Sequence, residues 1–221
     1  MQRYESPMIA AAILLAALAG FVDAIAYISL GGFFASFMSG NTTRLGVGLA
    51  TGVYGDVWRA GSLILAFLCG VVISSILSAR FERHRKPVVM VAVALILALA
   101  ALLTRFVDGA LPLLLLATAL GAENGVFLRN GEVSIGLTYM TGTLVRIGQK
   151  LTDALLGRGP VFGWARYFVL WLGFAGGVIL GGMAIGDHGL DALWFAAGGA
   201  LALAGLLAVL VRDGGASTTK T

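Results

Sequence analysis

Hydrophobic residues along this chain gather into six long runs that are separated by short polar segments. Each run approaches the ~20 apolar residues that an α-helix needs to cross about 30 Å of hydrocarbon. Pro87 and Pro112 stand near the starts of two runs, where the first turn of a helix tolerates proline. The pattern therefore predicts six transmembrane helices, at about residues 8–30, 61–79, 88–106, 111–128, 167–185 and 192–211.

Two further segments, at about residues 33–51 and 133–151, are less hydrophobic and contain one short phrase twice. The first copy begins at Met38 and reads MSGNTTRLG, and the second begins at Met140 and reads MTGTLVRIG. An aromatic residue, Phe37 or Tyr139, precedes each copy. Because a repeat that covers most of a chain decides its architecture, we interpret the sequence as two homologous halves, at about residues 8–106 and 109–211.

The composition is that of a membrane protein, with 59% hydrophobic and 12% charged residues and a mean hydropathy of +0.95. Soluble domains are about half apolar and about one quarter charged. We expect one membrane domain over residues 1–221, with a disordered tail at 212–221. The single cysteine, Cys69, excludes an intrachain disulfide, and no metal or cofactor is expected. The net charge of +4 needs no nucleic-acid partner, since basic loops set the orientation of membrane proteins.

The number of crossings depends on whether the two motif segments span the bilayer. If they do not, each half has three spans and the halves face opposite ways, whereas eight spans make the halves parallel. With six spans and the N-terminus inside, eleven lysines and arginines outside the motifs are cytoplasmic, and only Arg59 and Arg105 are external. Eight spans largely remove this bias. We therefore predict an all-α polytopic fold of six helices in two inverted repeats, each with a re-entrant or broken motif helix, and both termini in the cytoplasm.

The motif residues are suited to bind a solute at a helix start. Gly40 and Gly142 stand between residues that cap helices, so a helix is predicted to begin at each motif. At membrane depth its free N–H groups and positive dipole end would face a cavity and favour anions or carbonyl-rich solutes. The alternative is that each phrase is only a tight turn between two helices. The candidate binding residues for a small solute are Ser39, Gly40, Asn41, Thr42, Thr141, Gly142 and Thr143.

Asp23 and Glu123 are the ionisable residues inside the predicted spans, and the segments GFVD and GAEN align Asp23 with Asn124. Charges within a membrane are expensive and are usually paired or functional. One interpretation pairs Asp23 with Arg44 and Glu123 with Arg146. The other interpretation makes one of the two carboxylates a proton-coupling residue.

Small residues recur on one face of the second predicted span in each half, at about residues 61–79 and 167–185. Such faces let helix backbones approach closely in lipid, either within the chain or between the subunits of a homodimer. The aligned sets are Phe67, Gly70, Ser74 and Ser75 in the first half and Phe174, Gly177, Gly181 and Gly182 in the second.

Residues 20–46, GFVDAIAYISLGGFFASFMSGNTTRLG, resemble the YoaK-type family of bacterial membrane proteins, a domain of unknown function. The resemblance covers about residues 8–211, and its most specific parts are Gly20, Asp23 and the segment FMSGN from Phe37. It implies a bacterial inner-membrane location and a polytopic helical fold. It supplies no substrate.

The repeat and the topology together favour a secondary transporter or facilitator of a small solute or ion. Two alternatives stay open: a passive channel of the same fold, and a non-transporting scaffold or assembly protein. An enzyme is not expected, because the sequence has no Ser-His-Asp set, phosphate-binding loop or Cys/His cluster.

Overall fold

A computed structural model describes residues 6–129, 132–133 and 138–217. The fold is built from α-helices, with one two-residue ladder that pairs Leu128 with Val133 and Arg129 with Glu132. The helices are α1 (Ser6–Ser29), α2 (Met38–Thr51), α3 (Tyr54–Arg80), α4 (Arg85–Leu103), α5 (Leu111–Glu123), α6 (Met140–Leu155), α7 (Ala165–His188) and α8 (Ala192–Ser217). Strand β1 (Leu128–Arg129) and strand β2 (Glu132–Val133) lie between α5 and α6.

Several stretches of the described chain are long and apolar enough to cross a membrane. By length and composition these are Pro7–Ser29, Tyr54–Arg80, Glu82–Leu103 and Ala165–Arg212, the last of which contains both α7 and α8. The stretch Leu111–Phe127, which is α5 continued by a 3-10 turn, is apolar and slightly shorter. The chain is therefore a polytopic membrane protein of the all-α class.

The two motif helices are much shorter than the other helices, except α5. Helix α2 has 14 residues and α6 has 16. At 1.5 Å per residue they are about 21 Å and 24 Å long, which is less than the roughly 30 Å of the hydrocarbon core. Neither helix is long enough by itself to span that thickness.

The glycine faces make close contacts inside the chain. A Cβ added at Gly177 would overlap the carbonyl oxygen of Ala17, and one at Gly70 would overlap that of Thr118. In lipid, small residues at such crossings let van der Waals contact between backbones replace side-chain packing. These faces, which the sequence left open as a homodimer surface, therefore pack α7 on α1 and α3 on α5 within one chain.

The contacts also give the relative directions of the helices. Gly173 contacts Ile13 and Gly181 contacts Phe21, so α1 and α7 run in the same direction. Helices α3 and α5 are parallel for the same reason, since Gly121 contacts Phe67 and Gly125 contacts Ser74.

Two side-chain contacts relate the remaining helix ends. The Lys86 ammonium lies 3.4 Å from the Met8 sulfur, so α4 and α1 begin at the same end of the bundle. Arg105, just after α4, donates to Asp191, just before α8, at 2.9 Å. Helices α4 and α8, which pack together, therefore run in opposite directions.

Several helix ends differ from the predicted bounds, and the start of α3 at Tyr54 and the end of α8 differ most. Helix α8 runs to Ser217, beyond the end predicted near Val211, because its backbone hydrogen bonds continue into the polar tail. The chain is helical over residues 212–217, where the sequence predicts a disordered tail, and residues 218–221 lie outside the described part of the chain.

Candidate functional site

A helix begins at each copy of the repeated phrase, as the sequence predicts. Helix α2 starts at Met38 and α6 starts at Met140. The residues at the cap positions are the aromatics Phe37 and Tyr139, and neither makes a side-chain capping bond. The caps expected from the flanking hydroxyl and amide residues are therefore not used, because the helices start before those residues. The first N–H group of each helix is already bonded, because Met38 donates to the Ser36 carbonyl oxygen and Met140 to that of Thr138, both at 3.0 Å. The next two N–H groups of each first turn have no acceptor within the helix.

Residues 30–37 form an irregular segment, the entry segment, which turns back into the protein and leads into α2. Gly31 and Gly32 have φ values of 68° and 88°, a conformation that glycine adopts readily and that ends α1. The Asp23 carboxylate then accepts hydrogen bonds from the backbone N–H groups of Ala35 at 2.8 Å and Ser36 at 2.9 Å. Asp23 therefore fixes the segment that leads into the first motif to the last third of α1.

Asn41 completes this arrangement from the motif side. Its amide accepts a hydrogen bond from the backbone N–H of Phe34 at 3.1 Å and donates one to the Phe34 carbonyl oxygen at 2.7 Å. The side chain is fully buried, so both bonds replace contacts with water. Asn41 is thus a structural clamp on the entry segment.

Asn124 has the equivalent position in the second half. Its amide oxygen accepts a hydrogen bond from the Thr138 hydroxyl at 3.1 Å, and its NH₂ group donates to the Leu120 carbonyl oxygen at 2.9 Å. Thr138 lies two residues before α6, as Ser36 lies two residues before α2. The entry to each motif helix is therefore held by a side-chain oxygen acceptor, a carboxylate from α1 in one half and an amide from the 3-10 turn after α5 in the other.

A cavity of about 670 Å³ lies between the starts of the two motif helices. Both copies of the motif contribute to its wall, and so do rings from the two aligned helices α3 and α7. Asp23 is the one charged residue among the described residues that line it. The wall consists of Asp23, Phe34, Ser36, Phe37, Met38, Ser39, Phe67, Thr138, Tyr139, Met140, Thr141, Gly142 and Phe174.

The structure brings some of the predicted binding residues to this cavity and keeps others away from it. Ser39, Thr141 and Gly142 line the wall, as does Asp23. Gly40 instead lies against the Phe37 ring, and Asn41 is engaged with Phe34. The Thr42 hydroxyl donates to the Met38 carbonyl oxygen at 2.8 Å, and the Thr143 hydroxyl donates to that of Tyr139 at 3.3 Å.

The ion pairs suggested by the sequence do not form. The Arg44 guanidinium lies 4.5 Å from the centre of the Phe33 ring, and that of Arg146 lies 5.9 Å from the centre of the Tyr167 ring. Arginine stacks readily on aromatic faces, which gives both guanidinium groups a favourable contact without a carboxylate. Neither arginine is among the described residues that line the cavity.

Glu123 directly precedes Asn124 in the chain, and it is not among the described residues that line the cavity. Its side chain is fully buried at the end of α5, where the helix narrows into a 3-10 turn at Asn124–Phe127. Within the described residues, neither oxygen of its carboxyl group has a hydrogen-bond partner. A buried polar group of this kind is costly and is more often functional than structural.

Sequence reasoning missed the aromatic content of the cavity. Phe34 and Phe37 meet edge to face with ring centres 5.2 Å apart, and Phe67 and Phe174 enter the wall from α3 and α7. The alignment of Phe67 with Phe174 was the available signal, but the sequence indicated only a helix-packing face there. Nothing local to either helix shows that both rings point to one space.

Comparison with known proteins agrees with the motif resemblance. The family described as "Protein of unknown function (DUF1275)" matches residues 11–206. UPF0700 transmembrane protein RA0705 of Rhizobium meliloti (strain 1021) is 35% identical over 182 residues, which cover 80% of this chain and 76% of that protein. UPF0700 transmembrane protein YoaK of Bacillus subtilis (strain 168) is 28% identical over 149 residues, covering 64% of this chain and 66% of the relative. No solved structure gives a significant match. The chain therefore belongs to the YoaK-type family of transmembrane proteins.

Proposed function

We propose that this protein is a secondary transporter or facilitator of a small solute, and that the cavity between the starts of α2 and α6 is its binding site. The observation that carries the proposal is the composition of the cavity wall. Equivalent residues of the two halves line the cavity together: Phe37 and Tyr139, Ser39 and Thr141, and Phe67 and Phe174. Substrate sites of many transporters lie where two structural repeats meet and where helices are interrupted.

The proposal includes an inverted relation between the halves. Helix α1 runs parallel to α7 and starts beside α4, whereas α3 ends where α4 begins and runs parallel to α5. The first helices of the two halves, α1 and α5, therefore run in opposite directions. The close contacts support the same relation, since Gly177 meets Ala17 as Gly70 meets Thr118.

Six spans with two re-entrant motif helices fit this geometry. Helix α2 turns back towards the end of α1, because Arg44 in α2 and Arg59 near the start of α3 both lie over Phe33. One end of the bundle holds the starts of α1, α4 and α7 and the ends of α3, α5 and α8. The sequence concentrates lysine and arginine at that end, so we assign it to the cytoplasm of a bacterial cell, with both termini there.

A scaffold role has less support than transport. The glycine faces that could have bound a partner are occupied by α1 and α5 of the same chain. A cavity lined by hydroxyls, rings and a buried carboxylate has no evident use in a scaffold, whereas solute sites have this mixture of apolar wall and few polar groups.

The test is uptake and counterflow of a panel of small solutes by the purified protein in proteoliposomes. Thr141→Val removes a hydroxyl from the cavity wall, and Thr152→Val is its matched control on the same helix, since Thr152 is exposed and outside the wall. We expect the first variant alone to change the apparent affinity for the transported solute. Flux without saturation would indicate a channel, and equal transport by both variants would remove the cavity from the mechanism.

A further inference from the structure

The charge of the cavity wall points to one class of ligand. We propose that the cavity binds a small organic cation, an ammonium group on an apolar body. This inference rests on the proposed function, since it takes the cavity as the solute site. It replaces the anionic solute that helix starts alone would favour.

The first element of the site is a fixed carboxylate. Asp23 is 6% exposed and lines the cavity, and the N–H groups of Ala35 and Ser36 hold one of its oxygens in place. The cationic side chains that could neutralise it, Arg44 and Arg146, lie over the rings of other aromatic residues. Residues 134–137, which precede Thr138 and are not described, read SIGL and contain no ionisable side chain.

The second element is a set of aromatic rings in the wall that also contains that carboxylate. Phe34 and Phe37 of the entry segment meet edge to face, and Phe67, Tyr139 and Phe174 line the same cavity. The face of an aromatic ring carries partial negative charge and attracts cations, most strongly where water is excluded. A carboxylate combined with several rings and an apolar wall suits an ammonium group attached to a hydrophobic body.

The positive charge at the two helix N-termini opposes cation binding, so the balance of charge in the cavity decides whether it favours a cation or an anion. Each helix N-terminus carries about half a positive elementary charge, so α2 and α6 together roughly offset the full negative charge of Asp23. Asp23 bonds directly to the residues before α2, and therefore the α2 start is the more strongly neutralised of the two. The rings then make the cavity favourable to cations, because their negative faces are not offset by any basic side chain among the described wall residues.

The experiment compares four ligands of similar size that differ in charge. They are 2-phenylethylamine, 2-phenylethanol, phenylalanine and 3-phenylpropionate, each measured by equilibrium dialysis against the purified full-length protein in detergent. We expect the amine to bind about tenfold more tightly than the alcohol or the acid, from the added carboxylate and ring contacts. Asp23→Asn keeps an acceptor oxygen for Ala35 and Ser36, and it should bring the ratio of amine to alcohol affinity close to one.

Asp56→Asn is the matched control, because Asp56 is a carboxylate on the surface that pairs with Arg59 and is absent from the wall. It should leave the ratio unchanged. If Asp23→Asn does not fold, Tyr139→Leu serves instead, since it removes one exposed ring of the wall and should also lower the ratio. The proposal is overturned if the amine binds no more tightly than the alcohol, or does not bind at millimolar concentration. It is also overturned if the ratio of amine to alcohol affinity is unchanged in both Asp23→Asn and Tyr139→Leu. Amine binding without any solute flux in proteoliposomes would refute transport and leave the ligand class intact.

Discussion

Adding one methyl group at Gly177 tests the packing that fixes α1, and with it Asp23, against α7. A Cβ at this position would overlap the Ala17 carbonyl oxygen and lie 2.8 Å from the Ala17 Cα, whereas ordinary van der Waals contact begins at 3.4 Å. The two helix backbones must therefore separate by at least about 0.6 Å. No flexible side chain can give way at this contact, because the atoms it meets are backbone atoms.

The expected cost follows from two opposing effects. Overpacking in a close-packed interior costs about 1–3 kcal/mol, and replacing glycine by alanine within a helix returns up to about 1 kcal/mol of helix propensity. We therefore expect Gly177→Ala to lower the free energy of unfolding by about 1–2 kcal/mol. For a chain of this length each kcal/mol corresponds to a shift of about 2–4 °C in the melting temperature.

The assay is thermal unfolding in detergent, with Gly176→Ala as the matched control. Gly176 is the preceding residue of α7, and a Cβ added there meets nothing within 4 Å. The control should melt at the same temperature as the parent or slightly above it. Gly70→Ala should repeat the loss in the other half, because its Cβ would overlap the Thr118 carbonyl oxygen. Equal melting temperatures for Gly177→Ala and Gly176→Ala would refute the close helix contact.

Three further outcomes follow from the site and the topology. Asn41→Ala should lower the free energy of unfolding by about 1–3 kcal/mol, because it leaves the buried polar groups of the entry segment without their partner; an unchanged melting temperature would contradict the clamp. Glu123→Met should raise the free energy of unfolding by about 1–3 kcal/mol, since the substitution removes two buried oxygens that have no described partner. A loss of stability would mean that the carboxyl group has hydrogen-bond partners. Single cysteines at Asp56 and Arg158, in a chain whose native cysteine is replaced, should react with impermeant reagents from opposite sides of the membrane, and labelling from one side would exclude the six-span topology.

Helix existence and motif position could be predicted from the sequence because both are encoded locally. Long apolar runs give the spans, and Gly31 with Gly32 marks the end of α1 by conformational freedom. The repeat indicated where α2 and α6 begin, to within one or two residues. These features depend on neighbours along the chain, which a single sequence displays.

The partners of the polar side chains could not be predicted in the same way. Asp23 bonds to residues 12 and 13 positions further along, after the chain has turned back, and spacing gives no sign of that return. Asn41 and Arg44 share a helix with Ser39, yet Asn41 bonds to the entry segment and Arg44 lies over Phe33. The sequence assigned a solute-binding role to seven motif residues by residue type alone, and of these only Ser39, Thr141 and Gly142 line the cavity.

The equivalent residues Asp23 and Asn124 separate the hydrogen-bonding role of this position from the effect of its charge. Both side chains hold the entry to a motif helix through an acceptor oxygen, and Asn124 does so without a charge. Removing an ion from water costs several kcal/mol even after relaxation, so the clamp alone gives no reason for a carboxylate in the first half.

We therefore expect Asp23→Asn to melt at or above the temperature of the parent, since the amide oxygen can still accept from Ala35 and Ser36. Asp23→Ala should melt lower, by the equivalent of about 1–3 kcal/mol, because it leaves both N–H groups without an acceptor. Thermal unfolding of the two variants beside the parent decides the matter. Equal losses of melting temperature in both variants would mean that the hydrogen bonds to Ala35 and Ser36 need a charged acceptor. The charge of Asp23 would then be explained by structure alone and would be no evidence for a ligand.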